Sequence, residues 1–421
     1  MSGADWRAGT LYAGMPAMKP IAWSRRRLVW LCGATLLASC GGSDESKPPL
    51  PVGAPAPAGG SGSPQLNDFR TGLVNPWGMA FLPDGRIVVT ERPGRMRIVS
   101  ADGATMSAAL GGLPSVYVAG QGGLLDVAVD PDFATTPWLY WAYSEAAGGV
   151  TGTAVARGQL DASATTLDNV QVIFRQSPKV NVSDSHYGAR LVFAPDGTLF
   201  VTLGERQTDD PAAPTADNAQ NLGKHLGKVV RINRDGTVPG DNPYVGVAGA
   251  LPEIYSLGHR NPQGAALHPA SGELWLVEHG PQGGDEINRV VAQGNYGWPL
   301  RSYGCPYGSP VGSACRVGGG THVPNFIEPL AFWEPTSTAP SGMMFYTGGK
   351  FPEWQNSVFV GALVGQSLWR FPLQGGNAVG AREQLFASLG ERVRDVRQGP
   401  DGWIYLLIDS DTNGRIVRIT R

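Results

Sequence analysis

The chain has 421 residues, with 33 Lys plus Arg against 35 Asp plus Glu and a formal net charge of −2. Near-neutrality, without a Lys/Arg-rich patch interleaved with aromatics, argues against nucleic acid as a partner. The 59 glycines and 34 prolines, with only 16% charged residues, argue against a helical cytosolic protein. They read as short strands joined by tight turns in an exported chain.

Arg25-Arg26-Arg27 precede an apolar run, Leu28 to Ala38, that is too short to span a bilayer and fits the h-region of a signal peptide. The run ends in Leu37-Ala38-Ser39-Cys40-Gly41, which resembles a bacterial lipobox. Residues 1–40 therefore read as a lipoprotein signal, with Cys40 lipidated at the mature N-terminus; ordinary cleavage near Ala38 is the alternative. Residues before Met15 or Met18 suit no signal peptide, and a start at Met18 fits the leader. Residues 41–64, rich in Pro, Gly, Ala and Ser, read as a disordered tether. The expected location is periplasmic, with the membrane reached only through the lipid.

From Gln65 onward one strand–turn–strand pattern returns six times, at intervals of roughly 50–80 residues. Its copies are Met79 to Thr90, Asp126 to Phe133 with Trp138 to Tyr143, and Leu191 to Thr202. They continue with Ala265 to Pro269 and Glu273 to Val277, Gly342 to Tyr346 and Ser357 to Gly361, and Val396 to Leu407. The pattern predicts an all-β fold over residues 65–421, a six-bladed β-propeller of four-stranded antiparallel blades, each copy being the inner strand pair of a blade. A sandwich or barrel also alternates strands and turns but rarely repeats one turn signature six times. No G-x-G-x-x-G strand–helix junction occurs, which argues against a Rossmann dinucleotide site. Cys305 and Cys315 flank a Gly/Pro-rich loop, and in an oxidising compartment they read as a disulfide. Free or metal-binding thiols are the alternative, without a CxxC pair or His spacing behind it.

A propeller binds ligands where loops from several blades converge on its central channel. Gly258-His259-Arg260-Asn261-Pro262-Gln263-Gly264, then His279-Gly280-Pro281, Asp285-Glu286-Ile287-Asn288 and Asn295-Tyr296-Gly297-Trp298-Pro299, resemble the soluble glucose/sorbosone (aldose sugar) dehydrogenase family of quinoproteins. The resemblance extends from Gln121-Gly122-Gly123 and His186-Tyr187-Gly188-Ala189-Arg190 to Arg392-Val393-Arg394-Asp395, about residues 67–421. It implies oxidation of the anomeric hydroxyl of aldoses to lactones, by hydride transfer to pyrroloquinoline quinone (PQQ) with calcium. Electrons then pass to a separate acceptor, a quinone or cytochrome.

The resemblance implies a role for each matching residue. His186 is the general base and Glu205 the acid that orients its imidazole. Gln121 bonds the sugar. Arg260 and Asn261 hold the quinone carbonyls, where a guanidinium in place stabilises the charge that reduction creates. Arg392 and Arg394 clamp the cofactor carboxylates. Gly280 and Pro281 offer carbonyls to one calcium, and Glu286 and Tyr296 match ligands of a second. One departure is Val364, where many members carry Lys. A calcium-dependent propeller lactonase and a non-catalytic binding propeller are the competing classes, and neither needs the paired arginines or the Arg-Asn-Pro-Gln-Gly loop.

Overall fold

The computed structural model describes residues 62–421 except 182, 213–217 and 376–377. The signal peptide, the lipobox with Cys40 and tether residues 41–61 lie outside the described residues. Six antiparallel sheets form, and the only helices among the described residues are five three-residue 3-10 turns. No helix among them is long and apolar enough to cross a membrane.

Strand β1 (Gln65–Leu73) comes first in the chain but belongs to the last sheet. Blade one is β2 (Pro76–Phe81), β3 (Ile87–Glu91) and β4 (Arg95–Val99). Blade two is β5 (Leu124–Val129), β6 (Trp138–Ala147), β7 (Val150–Leu160) and β8 (Leu167–Arg175). Blade three is β9 (Leu191–Phe193), β10 (Leu199–Leu203), β11 (Lys228–Ile232) and β12 (Ile254–Leu257). Blade four is β13 (Pro262–Leu267), β14 (Leu274–Glu278), β15 (Asp285–Arg289) and β16 (Ala331–Trp333). Blade five is β17 (Pro340–Tyr346), β18 (Ser357–Ala362) and β19 (Leu368–Gln374), with β20 (Ala378–Val379) and β21 (Glu383–Leu385) outside. Blade six is β22 (Val393–Gln398), β23 (Ile404–Ile408) and β24 (Gly414–Thr420), closed by β1 on its outer edge.

The six sequence repeats are the inner strand pairs of the six blades. Their turns explain the signature. In Pro-Asp-Gly, the carboxylates of Asp84, Asp196 and Asp401 accept the N–H two residues ahead at 3.0, 2.9 and 3.1 Å. The following glycines, Gly85, Gly197 and Gly402, take φ of 81–86°, where a side chain would be strained. Four strands per blade hold in blades two, three, four and six but not elsewhere. In blade one the segment after β4 forms no strand: it makes a Val99–Met106 bridge and two backbone bonds to β4, from Ser107 and Leu110, before Gly111-Gly112 turns it away. In blade five β20 and β21 each cover part of β19.

Innermost strands meet around the axis, where register shifts interrupt β2, β5, β13, β17 and β22 near their starts. Such bulges re-aim side chains, and the residues concerned include Trp77, Asp126, Gln263, Ser341 and Arg394. The axis itself is filled by Arg190, which is 1% exposed. Its Nε donates to the Gln263 carbonyl at 2.6 Å, Nη1 to Asp126 Oδ1 at 3.0 Å and Nη2 to the Arg394 carbonyl at 3.0 Å. Its guanidinium also lies 3.2 Å from Asp395 and 4.3 Å from the Trp77 ring centroid. Arg397 pairs with the same two aspartates, so two buried acids meet two arginines. One side chain thus ties blade three to blades one, two, four and six. The Arg394 carbonyl also accepts Ser341 Oγ of blade five at 2.7 Å.

Candidate active site

A cavity of about 630 Å³ opens where innermost strands start and second strands end, lined from all six blades. Trp77 and Arg92, Gln121 and Leu125, Gly188, Gln263 and His279, Val364, and Arg392 and Arg394 each come from a different blade in turn. An adjoining cavity of about 440 Å³ shares Gln121, His279, Ala339 and Val364 with it and reaches His186, Arg260, Gly280, Pro281 and Tyr307.

His186 enters this region on a backbone in the left-handed region, with φ of 52° at His186, 67° at Gly188 and 88° at Ala189. Strain of this kind persists only where the surroundings impose it. Here the Gln121 side chain accepts the His186 N–H at 2.9 Å, Thr153 Oγ1 donates to the Tyr187 carbonyl at 2.7 Å, and Arg190 pins the segment to the axis. Nδ1 of His186 meets Glu205 Oε1 at 2.5 Å, so the hydrogen sits between them and Nε2 keeps its lone pair. Burial and the Arg260 charge push the His186 pKa below its usual value against the opposing pull of Glu205, leaving a neutral base at neutral pH. Burial alone would raise Glu205. The bond to His186, the Arg260 charge and the Asp209 N–H hold it below the usual carboxylate range.

Arg260 donates through Nη1 to the carbonyls of His279 and Gly280, at 3.2 and 2.5 Å, and through Nη2 to Tyr307 Oη at 3.1 Å. Asn261 Oδ1 accepts from Gln263 Nε2 at 3.1 Å and from the Gly188 N–H at 3.3 Å. Arg392 and Arg394 both reach Asp409 Oδ2, at 3.2 and 3.5 Å. Arg394 is pushed down to about 10, by burial above all and despite Asp409. His279 donates through Nε2 to the Pro340 carbonyl at 2.8 Å, and burial with the Arg260 charge lowers it to about 3.

The model of the family described as "Glucose / Sorbosone dehydrogenase" matches residues 73–418. The chain belongs to that family. It is 42% identical to aldose sugar dehydrogenase YliI of Escherichia coli (strain K12) over 350 residues, 83% of this chain and 90% of the relative. It is 29% identical to quinoprotein glucose dehydrogenase B of Acinetobacter calcoaceticus, over 82% of this chain and 84% of that one. Among solved structures, the PQQ-bound form of aldose sugar dehydrogenase from Streptomyces coelicolor superposes with a TM-score of 0.68 at 28% identity. That match covers 87% of this chain and 99% of the other.

As a glucose/sorbosone dehydrogenase, the chain is an aldose sugar dehydrogenase whose sequence-predicted residues fall into two groups. Gln121, His186, Arg260, Gly280, Pro281, Arg392 and Arg394 line the two cavities, Glu205 lines a neighbouring one with Arg260, Pro281 and Tyr307, and Asn261 is fully buried. Glu286 and Tyr296 line none of these cavities; they border a small void that Glu278 and Ser302 line together with Arg260, His279 and Gly280 of the site. There the Asn288 amide donates to Glu278 at 3.1 Å and to Glu286 at 3.3 Å. Burial and the Glu278 charge push Glu286 well above the usual carboxylate range. The Tyr296 hydroxyl donates to the Arg289 carbonyl at 2.5 Å and accepts the Val291 N–H at 3.0 Å.

Cys305 and Cys315 form a disulfide with Cα atoms 5.2 Å apart, and the loop they close carries Tyr307 to Arg260. Sequence reasoning did not single out Asp409, Glu278, Gln263, Arg92 or Tyr307. Gln263 lies inside the Arg-Asn-Pro-Gln-Gly motif and Glu278 directly before His279-Gly280-Pro281, whereas Arg92 takes its meaning from Gly120 and Gly122 of the neighbouring blade and Asp409 from arginines 15 and 17 residues away in its own.

Proposed function

We propose that this dehydrogenase oxidises the anomeric hydroxyl of aldoses to lactones with PQQ and calcium, passing electrons to a separate quinone or cytochrome. It would do so in the periplasm, held to the membrane by lipid on Cys40. The observation that carries this reading is the His186–Glu205 pair beside two adjoining cavities, one that His186 and Arg260 line and one that Arg392 and Arg394 line.

The residues fit the cofactor. Arg260 Nε, Asn261 Nδ2 and Arg394 Nε are buried without a partner, and an unmade bond of this kind costs about 1–3 kcal/mol. Quinone and carboxylate oxygens are suitable acceptors for all three. Arg260 and Asn261 would hold the carbonyl end, and Arg392 and Arg394 the carboxylates. No cluster of three or more His, Cys, Asp or Glu that could hold a metal occurs among the described residues. By the family resemblance, calcium would rest on the Gly280 and Pro281 carbonyls, and a second ion on Glu286 and Tyr296. Glu278 is a further oxygen donor there, since a hard cation favours such oxygens.

When bound, PQQ supplies a two-electron quinone acceptor and calcium polarises it. Nε2 of His186 takes the anomeric hydroxyl proton as the C–H electron pair leaves and the lactone carbonyl forms. Glu205 stabilises the resulting imidazolium, while Arg260 stands ready for the negative charge that appears on the acceptor. Gln121, which fixes the base through its backbone, also lines the cavity on the sugar's side. A lactonase would need free carboxylates at the channel centre, and here Asp126 and Asp395 are neutralised by Arg190 and Arg397.

Titration with PQQ and calcium chloride should change the protein's absorbance saturably, and a chelator should reverse it. Glucose added without oxygen should then convert the bound spectrum to that of the reduced cofactor. Acid release from a lactone by the metal-loaded protein, with no spectral change on adding glucose, would favour the hydrolase.

A further inference from the structure

We propose that Arg92 is a third cation of the cofactor-carboxylate site, beside Arg392 and Arg394, recognising one of the three carboxylates of PQQ; this rests on the cofactor reading above. Arg92 follows β3, and its backbone is fixed on both sides. Its N–H donates to the Asn75 carbonyl at 2.9 Å and its own carbonyl accepts the Leu124 N–H at 3.0 Å. It lines the same 630 Å³ cavity as Arg392 and Arg394.

The three arginines differ in what they already hold. Arg392 and Arg394 share Asp409. Arg92 forms no ion pair among the described residues, and its hydrogen bonds, both through Nη1, go to the neutral carbonyls of Gly120 at 2.9 Å and Gly122 at 3.4 Å. A guanidinium that lines a cavity and meets only carbonyls retains most of its capacity for an anion, and its planar fork suits a carboxylate. The cavity's other charged lining groups are Asp409 and Asp411, with His279 held neutral. Three arginines against two aspartates leave an excess of one positive charge, and without Arg92 that excess vanishes. Val364, 62% exposed and lining the same cavity, adds none.

The alternative role for Arg92 is mechanical, holding the Gly120–Gly122 carbonyls and with them Gln121. Two cofactor forms separate these. PQQ and its trimethyl ester share the quinone, but the ester has no carboxylate charge. Each is titrated spectroscopically, with calcium present, into the wild type, Arg92→Met and the double variant Arg92→Met with Val364→Lys. The thermal midpoint of each apoprotein checks folding. Arg92→Met should bind PQQ about tenfold to hundredfold more weakly, as for loss of a charged hydrogen bond, and the ester within about threefold of wild type. Val364→Lys should recover much of the PQQ affinity by returning a cation to the cavity.

Unchanged PQQ affinity in Arg92→Met overturns the proposal. Equal loss for PQQ and ester also overturns it, because Arg92 then acts through the Gly120–Gly122 turn. Wild-type protein that takes up neither compound overturns the cofactor reading itself, a result distinct from both.

Discussion

In the role of base proposed for His186, two opposing influences act on one imidazole. Burial and Arg260 lower its pKa while Glu205 raises it. A lowered pKa keeps the base neutral down to more acidic pH, so kcat/KM should hold through neutrality and fall only below the ordinary histidine value of about 6.5. In Glu205→Gln the raising influence is gone. The acid limb should move to lower pH still, while the plateau drops by about 10²-fold for loss of imidazolium stabilisation. A pH profile of kcat/KM for both proteins checks this, and an unmoved limb would mean that Glu205 does not act on the base. Among single residues, His186, Glu205 and Arg260 were legible because each sits in a local motif whose neighbours constrain it. Arg92 was not, since its side-chain partners come from the neighbouring blade, and Asp409 was not, since its arginines stand 15 and 17 residues away across the β22–β23 hairpin and no local pattern announces them.

Between elements, the joints of the ring are the interesting feature. Arg190 lies four residues after His186 and hydrogen-bonds the Arg394 carbonyl, so one side chain ties the proposed base to the proposed cofactor clamp. Replacing it by Met would leave Asp126 and Asp395 with Arg397 alone in a buried place. Breaking a buried pair in this way costs about 3–5 kcal/mol. Urea unfolding of Arg190→Met should show a loss of that size. A loss under about 1 kcal/mol, the worth of a surface pair, would mean that the axis is hydrated and the network is incidental. The inner strand pairs could be read from sequence because Pro-Asp-Gly turns mark three of them, in blades one, three and six, and apolar strand pairs of similar length flank a turn in the others. The outer strands could not: β20 has two residues and β21 three, too few for an alternating pattern to register. Blade one's edge likewise carries Gly111-Gly112 where a fourth strand would run.

For the whole molecule, closure of the ring depends on β1 pairing with β24, which joins segments some 350 residues apart. A chain beginning at Ser61 should therefore unfold cooperatively like the full-length protein. One beginning at Val74 leaves the β24 edge open, and an unpaired edge invites aggregation. Calorimetry and light scattering of the two chains test this, and cooperative unfolding of the shorter one would show that the other blades hold the ring shut unaided. Membrane attachment is a separate question. Lipid labelling in the wild type and its loss in Cys40→Ser would support the anchor, and an unlabelled wild type would favour cleavage near Ala38.

The central claim, that an imidazole removes the sugar's proton while arginines hold the electron acceptor, meets its most direct test in stopped-flow reduction of PQQ-loaded protein by glucose without oxygen. His186→Ala should bind PQQ and calcium as the wild type does, yet reduce about 10²–10⁴-fold more slowly, the usual loss for a general base. Arg260→Ala should lose cofactor affinity as well as rate. Reduction of the His186→Ala protein at the wild-type rate would contradict the account, leaving the imidazole a structural role and requiring another proton acceptor, with Glu205 the first to examine.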